Sequence, residues 1–175
     1  MKAVTRLLQL RDTTELAEVL RRNRKFLGPW EPLRSDEYFT VDEQEKIVRG
    51  ALSSYENGTM VPLVILNSAG ELAGRLNING ITRGAFQSAA LGYWVSADDN
   101  GAGLATRAVG EALRLAATLG LHRLQAETLP ANAASQKVLE RNGFDQYGIA
   151  PKYLKIAGRW QDHMMYQRIL ELSPR

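Results

Sequence analysis

The sequence contains no cysteine, and this absence removes several classes of function. It excludes disulfide bonds, thiolate metal sites and covalent catalysis through a cysteine, and it fits a reducing compartment. Histidine is also scarce, because His122 and His163 are the only two in the chain. So few imidazole groups argue against a histidine-rich metal site, and we expect no bound metal.

Long apolar runs are missing as well. No window of the sequence approaches the roughly 20 apolar residues that a membrane-spanning helix needs. The start of the chain, from Met1 to Arg6, lacks the apolar core of a secretory signal peptide. We therefore expect a cytoplasmic protein that has no membrane partner.

Neither sign of charge is in large excess. The chain has 22 lysines and arginines against 19 aspartates and glutamates, a net charge of +3. This surplus is compatible with an anionic ligand or an acidic partner, and ordinary soluble proteins also carry it. No interleaving of aromatic and basic residues indicates RNA binding. With 175 residues, 45% of them hydrophobic, we expect a single domain over 1–175.

The most informative stretch begins at Leu91. A short apolar run typical of a buried strand is followed by the loop Asn100 to Gly103 and by a helix predicted to begin at Ala102. The first amides of a helix lack intrahelical acceptors, so this loop is suited to bind an anion. The absence of a following lysine and of a third glycine excludes a P-loop and a Rossmann fingerprint. Simple packing of a glycine-rich turn stays open as an alternative.

The remaining periodicities predict eleven elements in the order β-α-α-β-β-β-α-β-α-β-β. The predicted strands cover 2–10, 60–67, 71–79, 91–95 (with a start at Phe86 as the alternative), 122–128 and two stretches within 144–170. The predicted helices cover 13–26, 41–56, 102–119 and 133–142. The strands on either side of the third helix should be parallel, with a right-handed crossover. The two hairpins should be antiparallel. The expected fold class is α/β (α+β), with a mixed, mostly antiparallel sheet and helices on both faces.

Two helix starts carry capping patterns. Asp12 is followed by Glu15, and Thr40 by Glu43, in the spacing of a capping box. Asn132 is a good N-cap for the fourth helix.

A proline-bearing loop, 27–39, separates the first two helices and contains three aromatic residues. Trp30, Tyr38 and Phe39 either plug the core or form a wall of a substrate cleft. Both interpretations are open.

The loop Asn100–Ala105, the pair Asn132 and Ser135, and the segment Arg141–Phe144 follow one another along the chain. Together they resemble the GNAT superfamily of acetyl-CoA-dependent N-acetyltransferases. The acetyl-CoA loop of that superfamily reads Gln/Arg-x-x-Gly-x-Gly/Ala, and this chain departs from it with Asn100 in the first position. The departure puts in doubt a contribution of that side chain, while the backbone amides make most of the contact.

Two longer segments, Asn23–Pro32 and Tyr153–His163, are similar to those of RimJ-type ribosomal-protein-alanine N-acetyltransferases. This resemblance covers nearly the whole chain. It implies a GNAT fold with a splayed parallel strand pair, acetyl-CoA as cofactor, and transfer of acetyl to the α-amino group of a ribosomal protein. Acetylation of a small amine or peptide antibiotic, and an acyl-CoA-binding module without turnover, are open alternatives. A homodimer is also open.

The resemblance further implies which residues contact acetyl-CoA. The amides of Ala102–Thr106 would hold the diphosphate, and the backbone near Val95 would pair with the pantetheine and polarise the thioester carbonyl. The implied contacts are Tyr93, Trp94, Val95, Asn100, Gly101, Ala102, Gly103, Leu104, Ala105, Thr106, Asn132, Ser135 and Lys137.

The reaction requires a deprotonated amine, a stabilised oxyanion and a protonated leaving thiolate. The resemblance implies Glu127 as general base, through water or with water alone as the alternative, and Ser135 as the proton donor to sulfur. The expected acceptor-binding residues are Trp30, Glu31, Tyr153, Trp160, Asp162 and His163. Asp162 and His163 are alternatively a structural pair that ties the last strand to the loop at 28–32.

Overall fold

A computed structural model describes residues 3–170, and within them the elements follow the predicted order. The helices are α1 (Thr13–Leu27), α2 (Val41–Glu56), α3 (Leu104–Thr118) and α4 (Ala133–Arg141). The strands are β1 (Thr5–Leu7), β2 (Val61–Leu66), β3 (Leu72–Thr82), β4 (Ser88–Val95), β5 (Arg123–Thr128), β6 (Asp145–Ile156) and β7 (Arg159–Ile169). None of the helices in residues 3–170 combines the length and apolar character that a bilayer crossing requires.

The strands form one sheet in the order β1-β2-β3-β4-β5-β7-β6. β4 and β5 are parallel, and the other neighbouring pairs are antiparallel. The parallel pair is the one that the strand–helix–strand unit of β4, α3 and β5 predicts. The predicted fold class is therefore confirmed.

Successive side chains of the central strands point to opposite faces of the sheet and pack into two hydrophobic cores, one on each face. On β2, Leu63 and Ile65 join the core under α3, whereas Val64 joins the core under α1 and α2. In α1, Leu16 and Val19 are buried on the face that the helical spacing predicts. Burying a side chain of this size stabilises the fold by roughly 1.5–3 kcal/mol. Helices on both faces are thus confirmed.

The parallel strands β4 and β5 separate along their length. They pair over Ser88–Ala90 and Arg123–Gln125, after which β4 stays beside β3 as far as Val95 and β5 stays beside β7 as far as Thr128. Within residues 3–170, the edge of β4 that faces β5 therefore lacks a strand partner beyond Ala90. A cleft opens there in the middle of the sheet.

The predicted boundaries of several elements are wrong, and β3, for example, ends at Thr82 instead of 79. The first strand spans Thr5–Leu7 instead of 2–10, and residue 2 lies outside the described residues. The third helix begins at Leu104 rather than Ala102, because Gly103 has a φ of +76°. A left-handed residue cannot continue a right-handed helix, so Gly103 is the N-cap.

One predicted capping pair is also wrong. Asp12 does not cap α1 through its side chain, because its carboxylate accepts from Arg6 Nη1 at 2.7 Å and from Gln9 N at 2.8 Å. Thr40 does cap α2, since its hydroxyl oxygen accepts from Glu43 N at 3.3 Å.

Candidate active site

Three adjoining cavities form one groove through the cleft between β4 and β5. The loop cavity, about 170 Å³, lies at the start of α3. The splay cavity, about 230 Å³, lies between the separating strands, and the far cavity, about 260 Å³, lies beyond it. Val95, Asn100 and Ala105 line the first two, and Tyr93 and Ser135 line the last two. An elongated molecule can therefore reach from the loop to the far cavity.

The start of α3 presents hydrogen-bond donors to the loop cavity. Gly101 and Gly103, with φ of +82° and +76°, turn the chain into the helix. The first bond of the helical ladder runs from Arg107 N to Gly103 O at 3.1 Å. The amides of Leu104–Thr106 precede it, and a helix leaves such donors without an intrahelical acceptor. This geometry is that of an anion site.

Two cations, the carboxylate of Asp99 and one amide side chain complete the loop cavity. Lys137 and Arg141 of α4 line it, and the dipole of α3 adds positive charge from the other side. Asn100 Oδ1 accepts from Gly101 N at 2.9 Å, so that backbone donor is already engaged by the protein. Ala102 is absent from the lining of the three cavities. The amides of the first helical turn thus remain available to an anion.

Ser135 and Tyr93 meet where the splay cavity joins the far cavity. Asn132 caps α4 by accepting from Ser135 N at 3.1 Å, which fixes Ser135 in the first turn. The Ser135 hydroxyl lies 2.8 Å from the Tyr93 hydroxyl. Burial raises the pKa of Tyr93 to about 12, and the hydrogen bond with Ser135 acts in the opposite direction. Tyr93 therefore keeps its proton at neutral pH.

Two carboxylates line the far cavity, Glu31 and Glu127. Burial raises the pKa of both side chains, and the charge of Arg34 partly opposes this effect at Glu31. Neither carboxylate forms an ion pair within the described residues. Unpaired carboxylates in a partly dry cavity attract a cation and bind a proton more readily than exposed ones do.

The aromatic residues of the loop 27–39 lie in two places, some against the core and one on the wall of the cleft. Trp30 lines the splay and far cavities, whereas Tyr38 and Phe39 pack against the core under α1 and α2. The loop is held at Glu31 O, which accepts from Ala157 N at 2.9 Å. This main-chain bond connects the loop to the β6–β7 hairpin. From the sequence, Asp162 and His163 were the alternative candidates for that connection.

The predicted acceptor residues of the hairpin lie in different places. His163 is buried and lines the far cavity, and Tyr153 packs edge-on against its ring at a centroid distance of 5.7 Å. Trp160 is exposed, and Asp162 Oδ1 accepts from Lys152 N at 2.8 Å within the hairpin. Trp160, Asp162 and Tyr153 do not line the far cavity.

The far cavity also contains residues that the sequence did not single out. Arg75 and Asn77 of β3 and Gly92 of β4 line it. In the sequence they alternate with apolar residues, which is the pattern of a strand with one solvated face. No local signal distinguishes a polar residue that faces solvent from one that faces a buried cavity.

A comparison with known families decides the identity of the fold and its chemistry. The acetyltransferase (GNAT) domain matches residues 4–145. The chain belongs to the GNAT acetyltransferase family. As a member it is an acetyl-CoA-dependent N-acetyltransferase, and the resemblance found in the sequence is confirmed.

The similarity to known proteins extends over nearly the whole length of this acetyltransferase. A probable N-acetyltransferase of Bacillus subtilis, YjcK, is 35% identical over 160 residues, 90% of this chain and 88% of its own. The ribosomal protein uS5-alanine N-acetyltransferase of Escherichia coli is 31% identical over 166 residues, 94% of this chain and 86% of its own. The structure of Mycobacterium smegmatis RimJ in complex with CoA-disulfide superposes with a TM-score of 0.92 at 32% identity, covering 98% and 83% of the two chains.

The groove of the acetyltransferase fits acetyl-CoA. Leu104–Thr106 offer amides to a diphosphate, Lys137 and Arg141 offer positive charge, and the open edge of β4 near Val95 offers main-chain partners to an amide-bearing arm. When bound, acetyl-CoA supplies an acetyl thioester as the acyl donor.

Asn132 should affect both folding and activity, whereas the matched cap Thr40 should affect folding alone. Each accepts from the third amide of its helix, so replacement by alanine should cost about 1 kcal/mol of unfolding free energy in either variant. Asn132 also lines the splay and far cavities. We expect Asn132→Ala alone to lower kcat/KM for acetyl-CoA, by about 5- to 10-fold. Equal activity of the two variants would contradict a contact between Asn132 and the substrate.

Proposed function

We propose that this acetyltransferase transfers the acetyl group to the N-terminal α-amino group of a protein, of the kind that the E. coli relative modifies. This chain is 31% identical to that relative, the uS5-alanine N-acetyltransferase, over 94% of its own length. Because the relative acetylates a protein, the similarity supports a peptide acceptor here. The groove supports direct transfer, because the far cavity opens onto the splay cavity with Ser135 and Tyr93 at the junction. The acceptor enters by the far cavity and the acyl donor by the loop cavity.

Each proposed step is assigned to a group that lines the splay cavity or the far cavity. Glu127 takes the proton of the acceptor ammonium through water, which leaves the amine free to form the new C–N bond at the acetyl carbon. An amide on the open edge of β4 donates to the carbonyl oxygen. The Ser135 hydroxyl gives its proton to the sulfur as the C–S bond breaks, and the Tyr93 hydroxyl, 2.8 Å away, replaces that proton. The nitrogen loses its second proton as the amide forms, and this proton returns to Tyr93 through water, so that both hydroxyls end the cycle protonated.

The observation that carries this proposal is the position of Glu127. Its carboxylate lines the cavity where an amine would arrive, has a raised pKa because of burial, and lacks an ion-pair partner within the described residues. An α-amino group has a pKa of roughly 7.7–8.0, so a weak base is enough to collect its proton.

Release of free thiol from acetyl-CoA, measured with a panel of acceptors, tests the proposed function. We expect turnover with peptides that begin with alanine or serine, and a mass increase of one acetyl group at the first residue. Turnover with small amines alone would contradict a peptide acceptor. Saturable binding of acetyl-CoA without turnover of any acceptor would contradict catalysis.

Ser135→Ala should lower kcat by up to about 100-fold, because the sulfur then loses its proton donor. Tyr93→Phe should lower kcat less, and adding it to Ser135→Ala should change little, since the two hydroxyls act in one relay. Tyr55→Phe, at an exposed tyrosine on α2, is the control and should match the wild type. Effects of Ser135→Ala and Tyr93→Phe that multiply in the double variant would contradict the relay.

A further inference from the structure

Arg75 is a buried cation without a carboxylate partner among residues 3–170. Its side chain lines the far cavity, and the residue is 9% exposed. Its guanidinium makes one hydrogen bond within the described residues, from Nη2 to Asn77 Oδ1 at 3.0 Å. Nε is buried and has no acceptor in the part of the chain that the structure describes. The arginines that do form ion pairs in the described residues, Arg6, Arg24 and Arg49, all lie nearer the surface.

The strand register explains why Arg75 faces the cavity. Arg75 pairs across β3 and β4 with Trp94, and Asn77 pairs with Gly92. Leu76 between them lies in the core under α3, so its two neighbours on β3 point to the opposite face. Gly92 is exposed in the middle of a strand, and a Cβ built there would contact only Asn79 Nδ2, at 3.6 Å. The floor of the far cavity beside Arg75 is therefore open.

Leaving a guanidinium buried and unpaired is costly, and an anion that accepts from it offsets that cost. The two carboxylates of the far cavity do not do so, because neither Glu31 nor Glu127 pairs with Arg75. One cavity thus holds a cation and two carboxylates that do not neutralise each other. This is the arrangement that receives a molecule carrying both an ammonium group and an anion.

The spacing indicates where that anion lies in the acceptor. Arg75 is on β3 and Glu127 is on β5, with β4 between them, so their backbones are roughly 10 Å apart or more. One extended peptide residue spans about 3.3–3.6 Å. With its ammonium group near Glu127, a peptide would place its second or third side chain near Arg75.

We propose that Arg75 binds the carboxylate of an aspartate or glutamate at the second or third position of the acceptor peptide. This inference rests on the proposed function and names a specificity determinant within it. Charge-assisted bonds to a guanidinium are the strong ones, and an uncharged side chain would leave Arg75 buried and unpaired.

Two matched pairs of peptides test the proposal, each beginning with alanine: Ala-Asp against Ala-Asn, and Ala-Gly-Asp against Ala-Gly-Asn, followed by the same residues. With the wild-type enzyme we expect the acidic member of at least one pair to have a kcat/KM higher by about 10- to 100-fold, mainly through KM. In Arg75→Met that ratio should fall to about 1. Arg49→Met, on an exposed face of α2, is the control and should keep the preference.

The outcomes separate this inference from the proposed function. Turnover of both members of each pair with equal efficiency by the wild type overturns the inference alone, as does a preference that survives in Arg75→Met. If none of the peptides is acetylated, the proposed function fails and the inference fails with it. If Arg75→Met does not fold, the wild-type ratios still test the acidic preference itself, and equal ratios overturn the inference.

Discussion

Thr106→Glu is expected to raise the KM for acetyl-CoA by at least about 30-fold, because a carboxylate in the first turn of α3 repels a diphosphate there by roughly 2 kcal/mol. Thr106 lines the loop cavity, and its backbone amide stays in place in the variant. The same substitution should leave the fold intact or stabilise it by about 0.3–1 kcal/mol, because acidic side chains favour a helix N-terminus. Affinity and stability therefore move in opposite directions.

Thr118→Glu is the matched control, at the exposed last residue of the same helix. There a carboxylate meets the negative end of the dipole and should destabilise the fold slightly, without changing the KM for acetyl-CoA. Steady-state kinetics give the KM for acetyl-CoA of each variant, and thermal unfolding gives the stability of each. A KM for Thr106→Glu within twofold of the wild type would contradict a diphosphate at this helix end.

Glu127→Gln is expected to lower kcat by about 100-fold at neutral pH, because the amide cannot accept the proton of the acceptor. The KM for acetyl-CoA should not change, since Glu127 lines the far cavity and not the loop cavity. Glu18→Gln, on the exposed face of α1, is the control. If Glu31→Gln rather than Glu127→Gln abolishes turnover, the proton is taken by the other carboxylate of the cavity.

The pH dependence of Glu127→Gln separates catalysis from folding. Burial raises the pKa of Glu127. As the pH is lowered, the activity of the wild type should therefore begin to fall at a higher pH than it would with an exposed glutamate as the base. The activity of Glu127→Gln should not show this acidic fall. A raised pKa also means that the contribution of Glu127 to stability is lost as pH rises through that pKa. The variant should therefore be at least as stable as the wild type at pH 7. If Glu127→Gln were unfolded at neutral pH, its loss of activity would not be evidence for a catalytic role of Glu127.

The order of elements was predictable because each depends on local periodicity. Leu16 and Val19 mark one helix face, and both are buried in the structure. The turn at Gly101 and Gly103 was also visible, since glycine between a strand and a helix has few other roles. The start of the helix at Leu104 was not, because the sequence does not show which glycine becomes left-handed.

The contacts that complete the site depend on distant parts of the chain. Tyr93 and Ser135 meet because β4 and α4 pack together across the cleft, and no spacing in the sequence encodes that approach. Arg75 resembles a solvated strand residue until β4 contributes Gly92 beside it. Asp12 was expected to cap α1, but Arg6 provides a stronger partner for its carboxylate. Local patterns therefore predict elements better than they predict partners.

The most direct test of the account is a crystal structure of the protein with coenzyme A. We expect the diphosphate to accept hydrogen bonds from the amides of Leu104–Thr106 and the pantetheine arm to lie along β4 near Val95, with the sulfur close to Ser135. A diphosphate bound elsewhere, with the first turn of α3 bonded to protein atoms instead, would contradict it.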